Sequence, residues 1–343
     1  MCTKLVNILA DITGSFRVAI SPLLFVFGVL GNLVAFILFF NNKPLTRYNL
    51  YPMILCIIQS IALLLNALLD DFFGRGLLFV SGGSFSIKVD AVSNAACQFF
   101  EFSEMWIGFV SAHIMLAFGV DRVLSITMPL RFQKTRFIQA TLWVYATIMA
   151  LGACVSAPLT AQYSLIVENE FLPKVCAINR ERLNTNDYAV KVPVTILTFF
   201  IPSFLLVVIN CILIVKILQL KRRRKLHFTP SFMAYAKTCR VTGKVVAEGK
   251  MELKRVFAYL NLALISFIFS LPLTVTLCIR SGLTLGDSLC EREPIAEMSR
   301  LFSSVKDIQY AIHGYTYIFF FPFFRKKFVR ILRLVFCCKK IRD

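Results

Sequence analysis

AACQFFEFSEMWIGFVSAHIMLAFGVDRVLSITMPL, residues 95–130, is the stretch on which the fold turns. From Ala95 to Val120 its only charges are Glu101 and Glu104, after which Asp121 and Arg122 arrive side by side. A helix rises about 1.5 Å per residue, so roughly 20 apolar residues cross a hydrocarbon core about 30 Å thick. Residues 95–120 are long enough to cross one, with a charged pair waiting at the far end.

Runs of this kind occur seven times, near 18–41, 49–72, 95–120, 138–161, 189–219, 255–279 and 300–323. The composition agrees: of 343 residues, 57% are hydrophobic, 17% are charged and 34 are Phe, too apolar a balance for a soluble protein of this size. In lipid each backbone amide must find its partner within the protein, and these long runs do not alternate as barrel strands do. The expectation is an all-α integral membrane protein: a short amino-terminal segment 1–17, a seven-helix bundle over 18–324, and a short membrane-parallel helix with the tail over 325–343.

The net charge of +19 would suggest a nucleic-acid partner in a soluble protein, but its placement argues otherwise. With the amino terminus outside, 26 of the 38 Lys and Arg fall on cytoplasmic segments, against 4 of the 19 acids: Asp121, Glu248, Glu252 and Asp343. The balance is 26 − 4 = +22 inside and 12 − 15 = −3 outside. Basic loops resist translocation, so this asymmetry predicts a multi-pass cell-membrane protein with its carboxyl terminus inside, and no nucleic acid as partner. Residues 1–17 carry Asp11 and lack a continuous apolar core, so span one is expected to act as a signal anchor; no Asn-x-Ser/Thr sequon occurs. The basic stretch Lys221 to Lys225 and the tail are expected to face anionic inner-leaflet lipid.

Eleven cysteines divide by location. Cys97 and Cys176 both lie on the oxidising outer side, as a bridge or as two free thiols. Cys278 and Cys290 offer a second outer bridge, the alternative being a buried free Cys278. Cys337 and Cys338 follow a basic segment just inside the membrane, as palmitoylation sites or as an unmodified pair.

Local motifs narrow the class. Gly31-Asn32-Leu33-Val34 lies in span one; Asp121-Arg122-Val123 ends span three and is followed by Ser125 to Arg131; Pro202 and Pro272 interrupt spans five and six; and Tyr317-Ile318-Phe319-Phe320-Phe321-Pro322 closes span seven. In order and spacing the set resembles the rhodopsin-like G-protein-coupled receptors, over nearly the whole chain. The resemblance implies a receptor that binds an extracellular ligand and activates a heterotrimeric G protein. It implies a disulfide cysteine 25 residues before the motif arginine, which is Cys97 relative to Arg122. It also implies an activation switch in which Arg122 is held by Asp121 and by an acid at the inner end of span six. Glu252, twenty residues before Pro272, stands there, or else merely offsets Lys250 and Lys254 on a solvated face. Pro272 and Tyr317 complete the switch set, the proline as a hinge.

For the ligand, Glu104 stands seven residues after Cys97, where amine receptors of the family carry an Asp. A carboxylate inside a membrane is a functional candidate. With Glu101 one turn above and Asp70 and Asp71 at the top of span two, it predicts an acidic mouth for a cationic peptide or amine, unless Glu104 pairs internally with Lys or Arg.

Departures from the family pattern are concentrated in the switch: Gln59 in span two, Val123, Asn210, Ser270, and His313-Gly314-Tyr315-Thr316-Tyr317 at the end of span seven. They point to a divergent orphan or chemosensory branch, and keep open a receptor-shaped protein that does not signal. A secondary transporter, the rival from another class, needs internal repeats that are not found. His113, His227 and His313 have no metal-ligand spacing, so no enzyme and no metal is expected. With no lysine read in the middle of span seven to anchor a retinal Schiff base, no cofactor is expected either.

Overall fold

The computed structural model describes residues 2–42, 46–128, 137–166, 175–178, 194, 196–227, 240–283, 289–320, 324–325 and 327–329. The chain runs α1 (Cys2–Ala19), α2 (Ser21–Phe40), α3 (Arg47–Ala62), a π-helical stretch Leu63–Gly76, α4 (Leu77–Val80), α5 (Asn94–Thr127), α6 (Phe137–Thr160), β1 (Tyr163–Ile166), β2 (Val175–Ile178), a second π-helical turn Ile196–Phe200, α7 (Ile201–His227), α8 (Arg240–Leu283) and α9 (Leu289–Phe320).

Burial is inverted relative to a soluble protein. Asn32, Gln59, Lys306, Asp307 and His313 are all buried, whereas Trp143 (74% exposed), Phe319, Phe204 and Phe40 face outward. Apolar side chains on the outside of a helical bundle have lipid as their solvent, and the polar groups turn to each other inside. Six of the described helices are long and apolar enough to cross a membrane: Ser21–Phe40, Arg47–Val80, Asn94–Thr127, Ile138–Pro158, Ile196–Gln219 and Phe257–Arg280. The seventh, α9, spans 32 residues but carries Glu297, Arg300, Lys306 and Asp307 along its length, and those charges keep it below the apolarity of the other six.

Two boundaries differ from the sequence expectation. Residues 2–17 of the amino-terminal segment belong to α1, and Ile20 keeps helical dihedrals while its N–H bonds the Phe16 carbonyl at 2.8 Å. Pro22, which has no N–H to give the preceding turn, accounts for the break between α1 and α2. The Gly- and Ser-containing stretch after Phe73 also begins as helix and continues to Val80, where Gly82 (φ 59°) and Gly83 (φ 89°) end it. Both extensions build the end of the bundle that carries the disulfide, termed outer after the orientation that the charge asymmetry predicts. There α1 lies against α9 and the π-helical stretch, and a Cβ on Gly14 would sit 2.4 Å from the Phe79 ring.

Between α2 and α9 the approach is backbone to backbone. A Cβ on Gly314 would fall 2.4 Å from the carbonyl carbon of Gly31, so these two backbones touch without side chains between them. Despite Gly314, α9 runs on as uninterrupted helix. On the outer side, β1 and β2 pair antiparallel, Leu165 opposite Cys176, and the hairpin is fastened to the top of α5. Asn94 accepts from the Leu165 N–H at 2.8 Å and the Gln98 amide donates to the Tyr163 carbonyl at 3.3 Å.

The Cys97–Cys176 disulfide is present, with Cα atoms 5.5 Å apart. The second bridge is not: Cys278 is a free, exposed thiol, on the outer surface of α8 and not buried as the alternative had it. Cys337, Cys338 and the side chains of Glu252, Cys290 and Lys221 to Lys225 lie outside the described residues.

Candidate functional site

The bundle has a charged cluster at its outer end and another at its inner end. At the outer end, Glu104 stands on α5, one to two turns below the disulfide, with its side chain 40% exposed. The Lys306 ammonium of α9 lies 3.7 Å from its carboxylate, and the Ser303 hydroxyl donates to the same oxygen at 3.3 Å. Lys306 itself is 3% exposed. The structure thus realises the internal pairing that the sequence left open.

The other predicted carboxylates are also countered. Asp71 meets the buried Arg17 of α1 at 2.9 Å, and Arg17 further donates to Ser304 at 3.2 Å and to the Arg300 carbonyl at 3.4 Å. Burial lowers the Arg17 pKa from the usual arginine range, while Asp71 is the first opposing influence. Asp70 pairs with Arg75 at 3.1 Å on the π-helical stretch. Glu101 accepts from Tyr163, whose hydroxyl is pushed well above its usual range by burial, with Glu101 and Glu104 adding to the shift. Three carboxylates of the acidic mouth read from the sequence, Asp70, Asp71 and Glu104, therefore stand in ion pairs with Arg75, Arg17 and Lys306, while Glu101 is held by a tyrosine hydroxyl. Charges inside otherwise apolar runs were the signal for Lys306 and its neighbour Asp307; nothing local marked Arg17 as a partner of Asp71, fifty-four residues away.

Below Glu104 lies a cavity of about 40 Å³. Its polar lining includes Ser111, Ser203, Ser270, Gln309 and His313, and Lys306 is the one charged residue among the described lining. At its floor the Gln59 amide donates to His313 Nδ1, and His313 Nε2 lies 3.0 Å from the Ser266 hydroxyl, a pair of contacts that fits one neutral tautomer. Gln59, Ser266 and His313 thus form one hydrogen-bonded layer across spans two, six and seven, where the family's motifs are altered.

At the inner end Asp121 lies 3.2 Å from Arg47 and 3.5 Å from Arg122. The Arg122 guanidinium stacks on the rings of Tyr48, at 3.8 Å, and Phe118, at 4.7 Å. Arg47 was legible only as topological charge; its role as a second partner of Asp121 comes from the start of α3 folding back under α5. Contact between spans three and six runs through Tyr259, which stacks edge-on with Phe118 at 5.2 Å and donates to the Met115 carbonyl at 3.4 Å. Pro272 lies within α8, and Tyr317 is buried edge-on against Phe39 at 5.0 Å.

No curated protein matches the chain. The family model described as "7 transmembrane receptor (rhodopsin family)" matches residues 77–332, well over half of the chain. With its membrane-length helices, the Cys97–Cys176 bridge at one end of α5 and the Asp121-Arg122 pair toward the other, the chain belongs to the rhodopsin family of seven-transmembrane receptors.

Proposed function

We propose that the chain binds an extracellular ligand through Glu104 and activates a heterotrimeric G protein at the inner end of the bundle. Its amino terminus is outside, its basic loops and tail lie on anionic inner-leaflet lipid, and it falls in a divergent branch of the family. The observation that carries the ligand reading is Glu104 itself: a carboxylate two helical turns inside the disulfide, 40% exposed and held by Lys306 at 3.7 Å and the Ser303 hydroxyl at 3.3 Å. A cationic group on a ligand, from a peptide or an amine, competes for that carboxylate from the open side. Exchange of partners at Glu104 shifts α9 relative to α5, and a ligand moves a two-state equilibrium only by its differential contact with the two states. On the inner side the same shift bears on Arg122, whose guanidinium is held between Asp121 and two rings.

The test expresses the chain in cells with subtype-specific G-protein biosensors, beside Arg122→Ala and Glu104→Gln, against a panel of cationic peptides and amines. A response lost in Arg122→Ala and weakened in Glu104→Gln supports the reading. Surface-expressed protein that gives no signal with any ligand or G protein refutes the coupling.

A further inference from the structure

Glu104 and Lys306 are partners, but they are not equivalent. Glu104 is 40% exposed, so a ligand that takes its partner away leaves it to water. Lys306 is 3% exposed, so a ligand that takes only Glu104 leaves an ammonium inside the bundle without its contact partner. The buried Asp307, next in sequence, and Asp71 act on the same ammonium through space, but neither makes an ion-pair contact with it within 4.0 Å among the described residues, because neighbours on a helix point about 100° apart. A purely cationic ligand is therefore opposed by the charge it uncovers, whereas one that also brings an anion is not.

The space for that anion is already present. Lys306 lines the cavity of about 40 Å³ beneath Glu104, and the hydroxyls of Ser111 and Ser203 and the Gln309 amide line it too. These groups can donate to a carboxylate but offer no second positive charge. The volume admits a carboxylate and a few carbons, not a large head group.

We propose that the ligand of this site is a small zwitterion whose carboxylate seats on Lys306 within the cavity while its ammonium takes Glu104 at the mouth. This rests on the reading of Glu104 as a ligand contact. The internal ion pair opens around a ligand of matching, opposite charges, and each buried charge keeps a partner throughout. The acid end is the indispensable one, because it answers the more deeply buried residue.

The experiment measures thermal unfolding of the full chain in lipid nanodiscs, with no G protein present. The probes are the unbranched amino acids from glycine to 6-aminohexanoate, each beside the alkylamine and the alkanoate of the same length. The expected result is that one amino acid raises the midpoint at a concentration at least about tenfold below its matched amine and alkanoate. K306M abolishes that stabilisation, and E104Q weakens it about tenfold while sparing the weaker response to the alkanoate. The double variant E104K/K306E keeps an ion pair of reversed sense; it unfolds near the wild-type midpoint and no longer responds to the amino acid. A matched amine that stabilises as well as the amino acid and still does so in K306M overturns the proposal and leaves the receptor reading intact. So does the failure of every amino acid at about 10 mM, where even millimolar affinity would register. Stabilisation by the amino acid in nanodiscs with silent biosensors in cells upholds the ligand class and refutes the signalling reading instead.

Discussion

Replacing Gly314 by Ala tests whether the contact of α2 with α9 is set by backbone approach. The added Cβ would lie 2.4 Å from the Gly31 carbonyl carbon, 2.5 Å from its oxygen and 2.6 Å from the Asn32 nitrogen. Ordinary contacts of this kind need roughly 1 Å more, and all three neighbours are backbone atoms, so no rotamer change relieves the clash. The helices must part. Overpacking of a closed interface costs about 1–3 kcal/mol, and the better helix propensity of Ala returns at most about 1 kcal/mol. Parting the helices also stretches the 3.1 Å bond from the Asn32 amide to the Tyr310 carbonyl. The net expectation is a loss of about 1–2 kcal/mol, read as a lower thermal midpoint in nanodiscs and a smaller surface-expressed fraction in cells. Gly152→Ala is the control: its new Cβ meets only side-chain atoms of Phe109, Trp106 and Val110, at 3.0, 3.1 and 3.2 Å, which can move aside. A Gly314→Ala protein as stable as wild type, or more stable than Gly152→Ala, would refute the reasoning.

Three further outcomes are expected. Cys97→Ser or Cys176→Ser opens a link across a sequence separation of 79 residues and lowers stability by about 4 kcal/mol, with mild reductant producing the same change in the wild type. Arg17→Met leaves Asp71 without its 2.9 Å partner and costs about 3–5 kcal/mol, most of which returns when Asp71→Leu is added; equal costs for the single and double variants would remove the pair from the account. Arg47→Met leaves Asp121 with Arg122 at 3.5 Å, so it lowers stability less than Arg17→Met, and basal G-protein biosensor signal rises; unchanged basal signal argues against Arg47 as part of the inner latch.

What the sequence determined by itself is whatever a single segment carries. Each apolar run must be a helix because a lipid-solvated backbone has no other partner, and Cys97, Asp121 and Arg122 stand at the two ends of one such run, so their placement follows from its length. The ends of helices were less legible: α1 continues to Cys2 and the span-two helix to Val80 because they pack on each other and on α9, which no local pattern announces. Pairings between distant charges were the least legible of all. Glu104 and Asp71 read as part of an open acidic mouth until Lys306 and Arg17 are brought beside them, and Asp121 reads as the partner of Arg122 alone until α3 delivers Arg47. A sequence lists its charges, but in a low-dielectric bundle their chemistry depends on which opposite charge lies within a few ångströms, and only the packing of the helices decides that.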